Sequence, residues 1–240
     1  MEVRIIGYTD NPLDVIWTAA KVCYSDKSLD DIFEEAKSKG SLGTEETRKE
    51  MADFIWNIVK SGHASIMEHA SITFAISGIS RVTSHQLVRH RVASYSQRSQ
   101  RYVGDTTTII PHTILSNGEA MNEVDELVKQ AKKVYADLVE LGIPKDHARF
   151  ILPMGSSTQL VASFNYRELM HLFGLRCCSR ASDEIRMMAH TMLVCCREVS
   201  PEIFNRIGPN CYTTGVCPEG KRSCGKMEEM KKAYGWKMDS

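Results

Sequence analysis

Residues 63–101 read HASIMEHASITFAISGISRVTSHQLVRHRVASYSQRSQR, and the periodicity of this stretch changes twice. From Ser71 to Ser77 apolar and polar residues alternate, with Ile72, Phe74 and Ile76 set against Ser71, Thr73 and Ser77. That pattern is a strand with one buried face. After Gly78 the residues Ile79, Val82, Gln86 and Arg89 fall on one side at helical spacing, so strand is expected to pass into helix. VASYSQRSQRY, rich in Ser and Gln, then reads as a loop, because such side chains compete for backbone hydrogen bonds. Arg89, His90 and Arg91 would be delivered at the helix end.

The same stretch is biased in charge. No acid occurs between Glu68 and Asp105, while residues 81–101 carry five arginines, two histidines and no lysine. Arginine presents a rigid, always-charged fork, so its choice over lysine points to bidentate recognition of phosphate or carboxylate. The competing reading is a solvated basic face, but such faces are usually lysine-rich and mixed in sign.

Working outward, 240 residues suffice for one large domain with a sizeable core. Thirty basic residues balance thirty acidic ones, so bulk charge gives no reason to expect a nucleic-acid or membrane-surface binder. MEVRIIGYTDNP lacks the features of a secretory signal, and no apolar run approaches the span of a bilayer. A soluble, cytoplasmic protein is expected.

EVRIIGYT suits a first strand, and Asp10, Asn11 and Pro12 signal a helix reaching about Tyr24. Ser28 to Lys39 is helix or loop. Thr44 starts a stronger helix that ends before Gly62, DTTTIIPHT is strand or extended, and a long helix runs from Asn117 to Leu141. A short helix follows Pro144, STQLVASFN is a strand, and two helices meet near Ser179 to Ser182. Beyond Pro201 apolar periodicity is lost, which suggests a peripheral tail.

No Gly-rich phosphate loop is present, so a bound nucleotide must be held by side chains. Ser99, His90 and Glu68 form a hydrolase triad only on paper, without a nucleophile elbow. Cys177 or Cys178 is a conceivable nucleophile, although apolar helical surroundings favour inert thiols. In the tail, Cys211, Cys217 and Cys224 follow C-x5-C-x6-C. They could clasp a metal or form a bridge, but with no obvious fourth ligand no metal site is assigned. His63, His85 and His190 read as surface or structural histidines, Met187 and Met188 as helix core, and Arg81 as a partner for an acid.

Arg89-His90-Arg91, seven residues and then Ser99 resembles the signature of the flavin-dependent thymidylate synthases. Met67 to His69 resembles the family's Glu-His turn, and ARFILP, NYREL and LRCCSRASDEIR are similar to further blocks in the same order, covering residues 1–207. The resemblance implies an α+β fold with a central, mostly antiparallel sheet flanked by helices. It implies a synthase domain over 1–207, with 208–240 a peripheral cysteine-containing extension. The implied reaction is reductive methylation of dUMP to dTMP without an enzyme nucleophile. FAD is the implied cofactor, NADPH the reductant and 5,10-methylenetetrahydrofolate the one-carbon donor. A homotetramer with sites shared between subunits is also implied.

Carried over by position, His69, Ser71, Arg89, His90, Arg91, Asn165, Arg167 and His171 would hold FAD. Gln86, Arg89, Ser99, Gln100, Arg101, Arg149 and Arg176 would hold dUMP, with Arg176 the catalytic arginine that favours loss of the uracil N3 proton. Gln97, His171 and Arg180 depart from common family residues at their positions. Two other readings compete: an RNA-binding or regulatory module, including a flavoprotein without synthase activity, and a synthase using Cys177 or Cys178. Only Tyr95 and Tyr102 interleave the arginines, which is sparse for base stacking.

Overall fold

The structure is a computed structural model that describes residues 1–102 and 107–235. In chain order the elements are β1 (Glu2–Tyr8), α1 (Pro12–Lys21), α2 (Leu29–Lys39), α3 (Glu45–Lys60), a 3-10 turn (Ala64–His69), β2 (Ser71–Ser80), α4 (Arg81–Leu87) and β3 (Ala93–Gln97). There follow α5 (His112–Leu115), α6 (Gly118–Glu140), α7 (Lys145–Ala148), β4 (Ser157–Asn165), α8 (Tyr166–Arg176), α9 (Asp183–Val199), α10 (Pro201–Phe204), α11 (Asn210–Thr213) and α12 (Met227–Tyr234). The four strands form one sheet in the order β1-β2-β4-β3, and each neighbouring pair is antiparallel. The fold is therefore α+β, as the sequence led one to expect. Among the described residues no helix is long and apolar enough to cross a membrane.

The alternation read in the sequence sorts the faces of the sheet. Ile72, Phe74 and Ile76 of β2 and Leu160, Ala162 and Phe164 of β4 are buried with Leu172 and Phe173 of α8 and Met188 and Met192 of α9. Each large apolar side chain removed from water there contributes about 1.5–3 kcal/mol. Thr73 and Ser163, on the other face, meet hydroxyl to hydroxyl at 2.8 Å.

Strand β2 continues to Ser80 instead of ending at Gly78. Its pairing shifts between Ser77 and Ile79, where Gly78 takes φ +68°, a conformation glycine adopts without penalty. Ser80 then caps α4, accepting from the Thr83 N–H at 3.1 Å. Glu184, in the first turn of α9, accepts from the Ser80 N–H, the Ser80 hydroxyl and the Thr83 hydroxyl at 2.6, 2.5 and 2.7 Å. This carboxylate fixes the start of the helix that leads to the arginine motif.

The Ser- and Gln-rich segment read as a loop contains a strand. Residues 93–97 pair with β4 from Ala93 opposite Phe164 to Gln97 opposite Leu160. Burial alternates along it, with Ala93, Tyr95 and Gln97 partly covered and Ser94 and Ser96 exposed. Tyr95 packs edge-on against Phe164 at 5.7 Å, and its hydroxyl donates to the carbonyls of Leu87 and His90 at 3.0 and 2.7 Å. Pairing and one anchored aromatic outweigh local propensity.

Smaller expectations are also revised. Segment 29–39 is a helix, capped by Ser28. In DTTTIIPHT, Asp105 and Thr106 lie outside the described residues, Thr108 makes one bridge to Ser156, and His112 already begins α5. Met188 is core, but Met187 is exposed. Arg81 donates to the Arg98 carbonyl at 2.9 Å. Tyr234 of the tail is buried, its hydroxyl donating to the Cys177 carbonyl at 3.3 Å and its carbonyl accepting from Arg197 at 3.0 Å.

Candidate active site

Antiparallel register gathers one set of residues at one end of the sheet. Ser71, the first residue of β2, lies opposite Asn165, the last of β4, and β3 begins one pair away. His69, Ser71, the motif arginines, Asn165, Arg167 and His171 all arrive there. Arg89 and Arg91 are exposed on either side of His90, which is only 2% exposed. Arg167 pairs with Glu68, and Asn165 caps α8 by accepting from the Glu168 N–H at 2.8 Å.

His90 is engaged at both nitrogens. Arg176 Nε donates to His90 Nε2 at 3.1 Å, and a guanidinium can only donate, so Nε2 must be the bare nitrogen. The ring proton then sits on Nδ1 and is given to Glu168 Oε1 at 3.1 Å. Burial first, and the Arg176 charge second, lower the His90 pKa to about 4, against the opposing pull of Glu168. The result is a chain, Glu168–His90–Arg176, in which a neutral imidazole holds the arginine in place. His171 Nδ1 lies 3.4 Å from the same Glu168 oxygen, with its ring edge-on to His90 at 5.2 Å. One ligand atom from each of His90, Glu168 and His171 lies within 4.8 Å of the others, but the proton on His90 Nδ1 makes that atom a donor rather than a metal ligand. Arg176 also donates to the Gln86 carbonyl at 3.2 Å, and the Gln86 amide oxygen accepts from the Ser182 hydroxyl at 3.1 Å.

Glu168 was absent from the residues singled out in the sequence. Its N-x-x-E spacing after Asn165 reads as a helix cap, and nothing in one dimension connects it to His90.

The buried imidazole carries a testable pH dependence. With its folded pKa near 4 and an unfolded value near 6.5, the stability this group contributes is complete above about pH 6.5. It is lost as pH falls toward 4, because the unfolded chain takes up the proton first. Up to about 3 kcal/mol is at stake, and urea unfolding at several pH values should show His90→Gln losing that part of the slope.

The other predicted residues stand at the opposite end. Just past β3, the Arg98 N–H donates to the Gln159 carbonyl at 2.9 Å, so Ser99, Gln100 and Arg101 begin beside the start of β4. Arg81 is close to Arg149, whose charge adds to burial in lowering the Arg81 pKa. Gln100 is buried, and the Ser99 hydroxyl accepts from the Arg101 N–H at 3.2 Å. Gln97 is held internally, its amide donating to Ser84 and Thr158 at 2.9 and 3.1 Å. At about 3.3 Å per residue, the β4 segment from Gln159 to Asn165 measures about 20 Å. Residues 89–91 and 99–101 are thus the two ends of one strand, not one patch. Arg176 stands with His90 of the first end and the Gln86 carbonyl late in α4, while Ser99, Gln100 and Arg101 follow β3 at the second end, with Arg149 near Arg81.

The alternative nucleophiles gain little from their surroundings. Burial pushes the Cys177 thiol up to about 12, so it holds its proton at neutral pH. Ser99 and His90 lie at different ends of β3. Arg180 reaches the tail instead, donating to the Arg222 carbonyl and standing 3.7 Å from Glu219.

A family model described as thymidylate synthase complementing protein matches residues 4–202. The chain is 40% identical over 238 residues to a flavin-dependent thymidylate synthase of Geobacter sulfurreducens, covering 98% of each chain. It is 38% identical to that of Nitratidesulfovibrio vulgaris, covering 93% of this chain and 94% of the relative. For that of Thermococcus onnurineus the identity is 39%, over 92% and 90%. An α+β chain with these full-length likenesses is placed first among the thymidylate synthase complementing proteins. It belongs to the flavin-dependent thymidylate synthases.

Proposed function

We propose that this protein makes dTMP by reductive methylation of dUMP, with FAD as cofactor, NADPH as reductant and 5,10-methylenetetrahydrofolate as carbon donor. The observation that carries the reading is the end-to-end likeness to relatives bearing the name flavin-dependent thymidylate synthase. The donor set fits an anionic dinucleotide: Arg89 and Arg91 are exposed forks in a stretch without acids, and Arg167 and His171 stand at the same end of the sheet. In this reading Arg89, Arg91, His69, Ser71, Arg167 and His171 face FAD, Asn165 shapes the turn behind them, and His90 acts through Arg176. The bound flavin supplies the reducing equivalents; the chain supplies binding, orientation and charge.

Gln86, with its amide oxygen held by Ser182, turns its N–H groups to a pyrimidine carbonyl. Arg176, steadied by Glu168 and His90, stabilises negative charge as the uracil N3 proton leaves, which raises electron density at the carbon to be methylated. Ser99, Gln100, Arg101 and Arg149 hold the dUMP phosphate. The two groups stand at opposite ends of β3, so we propose that one chain gives Arg176 and its neighbours while another gives the phosphate pocket, within a homotetramer. A cytoplasmic enzyme with small-molecule substrates, no nucleic-acid partner and residues 1–207 as the synthase domain completes the proposal. The test is a visible spectrum of the purified protein followed by an assay for dTMP. Flavin absorbance and turnover of dUMP are expected; no flavin, no binding of added FAD and no dTMP would overturn the reading.

A further inference from the structure

We propose that Cys178, Cys211, Cys217 and Cys224 form a four-thiolate site for Zn2+. The C-x5-C-x6-C tail supplies three sulfurs at a spacing that leaves a tetrahedral set one short. The fold supplies the fourth. Cys178, just past the end of α8, lines the same cavity of about 260 Å³ as the three tail cysteines, and all four are free thiols.

A second observation is independent of the cysteines' placement. Among residues 210–235 only Cys211 and Tyr234 are buried. So small a core does not by itself hold a segment made of short helices and turns, and chains in that position rely on a staple such as a structural metal. The turns are suited to one. Gly215, between the first two cysteines, Gly220, between the second and third, and Gly225, directly after the third, have φ of +74°, +51° and +74°, which keeps the chain turning around the cavity.

Four thiolates with no open position make a closed, structural site, and they suit Zn2+ in preference to harder ions. On binding, the thiols lose their protons to solvent and four Zn–S bonds of about 2.3 Å form. No three of these sulfurs yet stand within 4.8 Å of one another, so the glycine turns close as the ion enters. The site would pin the tail two residues from Arg176 and so hold the end of the helix that carries it.

The test uses the full-length protein, purified reduced with Zn2+ supplied. Elemental analysis should give about one zinc per chain, and substitution by Co2+ should give the thiolate charge-transfer and visible bands of a tetrahedral site. Cys224→Ser, at an exposed position, should reduce the zinc content to near zero with its far-ultraviolet dichroism retained, while Cys23→Ser keeps the full content. Chelation of the wild type should raise hydrogen exchange in the tail and at the end of α8 before the sheet responds. A metal-free reduced protein with a protected tail, a disulfide among these cysteines in protein kept from air, or a brown iron–sulfur chromophore in place of zinc would each overturn the assignment.

Discussion

Arg176→Ala is expected to lower thymidylate turnover by about 10²–10³-fold while changing dUMP and FAD affinity only a few-fold. The asymmetry follows from where the group acts. In the proposed site a guanidinium beside a neutral uracil contributes modestly to binding, but as the N3 proton leaves it faces a full negative charge in a partly buried setting. Its position is fixed by His90 at 3.1 Å and by the Gln86 carbonyl at 3.2 Å, so little reorganisation accompanies the charge. Arg176→Lys should lose most of the activity as well, because an ammonium cannot span both acceptors. Glu168→Gln keeps the size of the side chain but weakens the acceptor for His90 Nδ1–H. It should lower kcat more than it raises KM. Equal losses in kcat and in substrate affinity for Arg176→Ala would make this residue an anchor instead.

The second large effect belongs to the other end of β3. In the proposed site Arg101→Ala removes a charge-assisted contact to the dUMP phosphate, worth about 1.5–3 kcal/mol, so KM for dUMP should rise by roughly 10–150-fold. Flavin content should hold, because Arg101 is not one of the residues proposed to face FAD, which cluster near Ser71 and Asn165. Raising ionic strength should weaken dUMP binding in the wild type more than in this variant.

The sheet was legible because half-buried strands announce themselves: the alternation in SITFAIS and STQLVASFN correctly set Phe74 and Phe164 inward. The helices were legible from apolar stripes and from caps such as Thr44 and Asn117. Strand β3 was missed because pairing with β4 and the reach of Tyr95 to Leu87 and His90 are long-range facts. That miss concealed the separation of RHR from Ser99, since a loop can fold back where a strand keeps its ends apart. Glu168 and the company of Cys178 were hidden for the same reason. Each becomes meaningful only beside residues distant in the chain, His90 for the carboxylate and Cys211 for the thiol. The family motif located the arginines; the register showed that they divide between two ends.

In the proposed site one chain supplies Arg176 and another supplies Arg101, and co-expressing the two variants tests this directly. Arg176→Ala and Arg101→Ala chains, carrying different affinity tags and purified by both in sequence, would be assayed at dUMP concentrations where each variant alone is silent. If sites form between chains, mixed assemblies contain some sites built from two intact ends, and activity should return to about a quarter of wild type for random assembly. Mixed assemblies as inactive as either parent would show that each chain completes its own site, and would contradict the account.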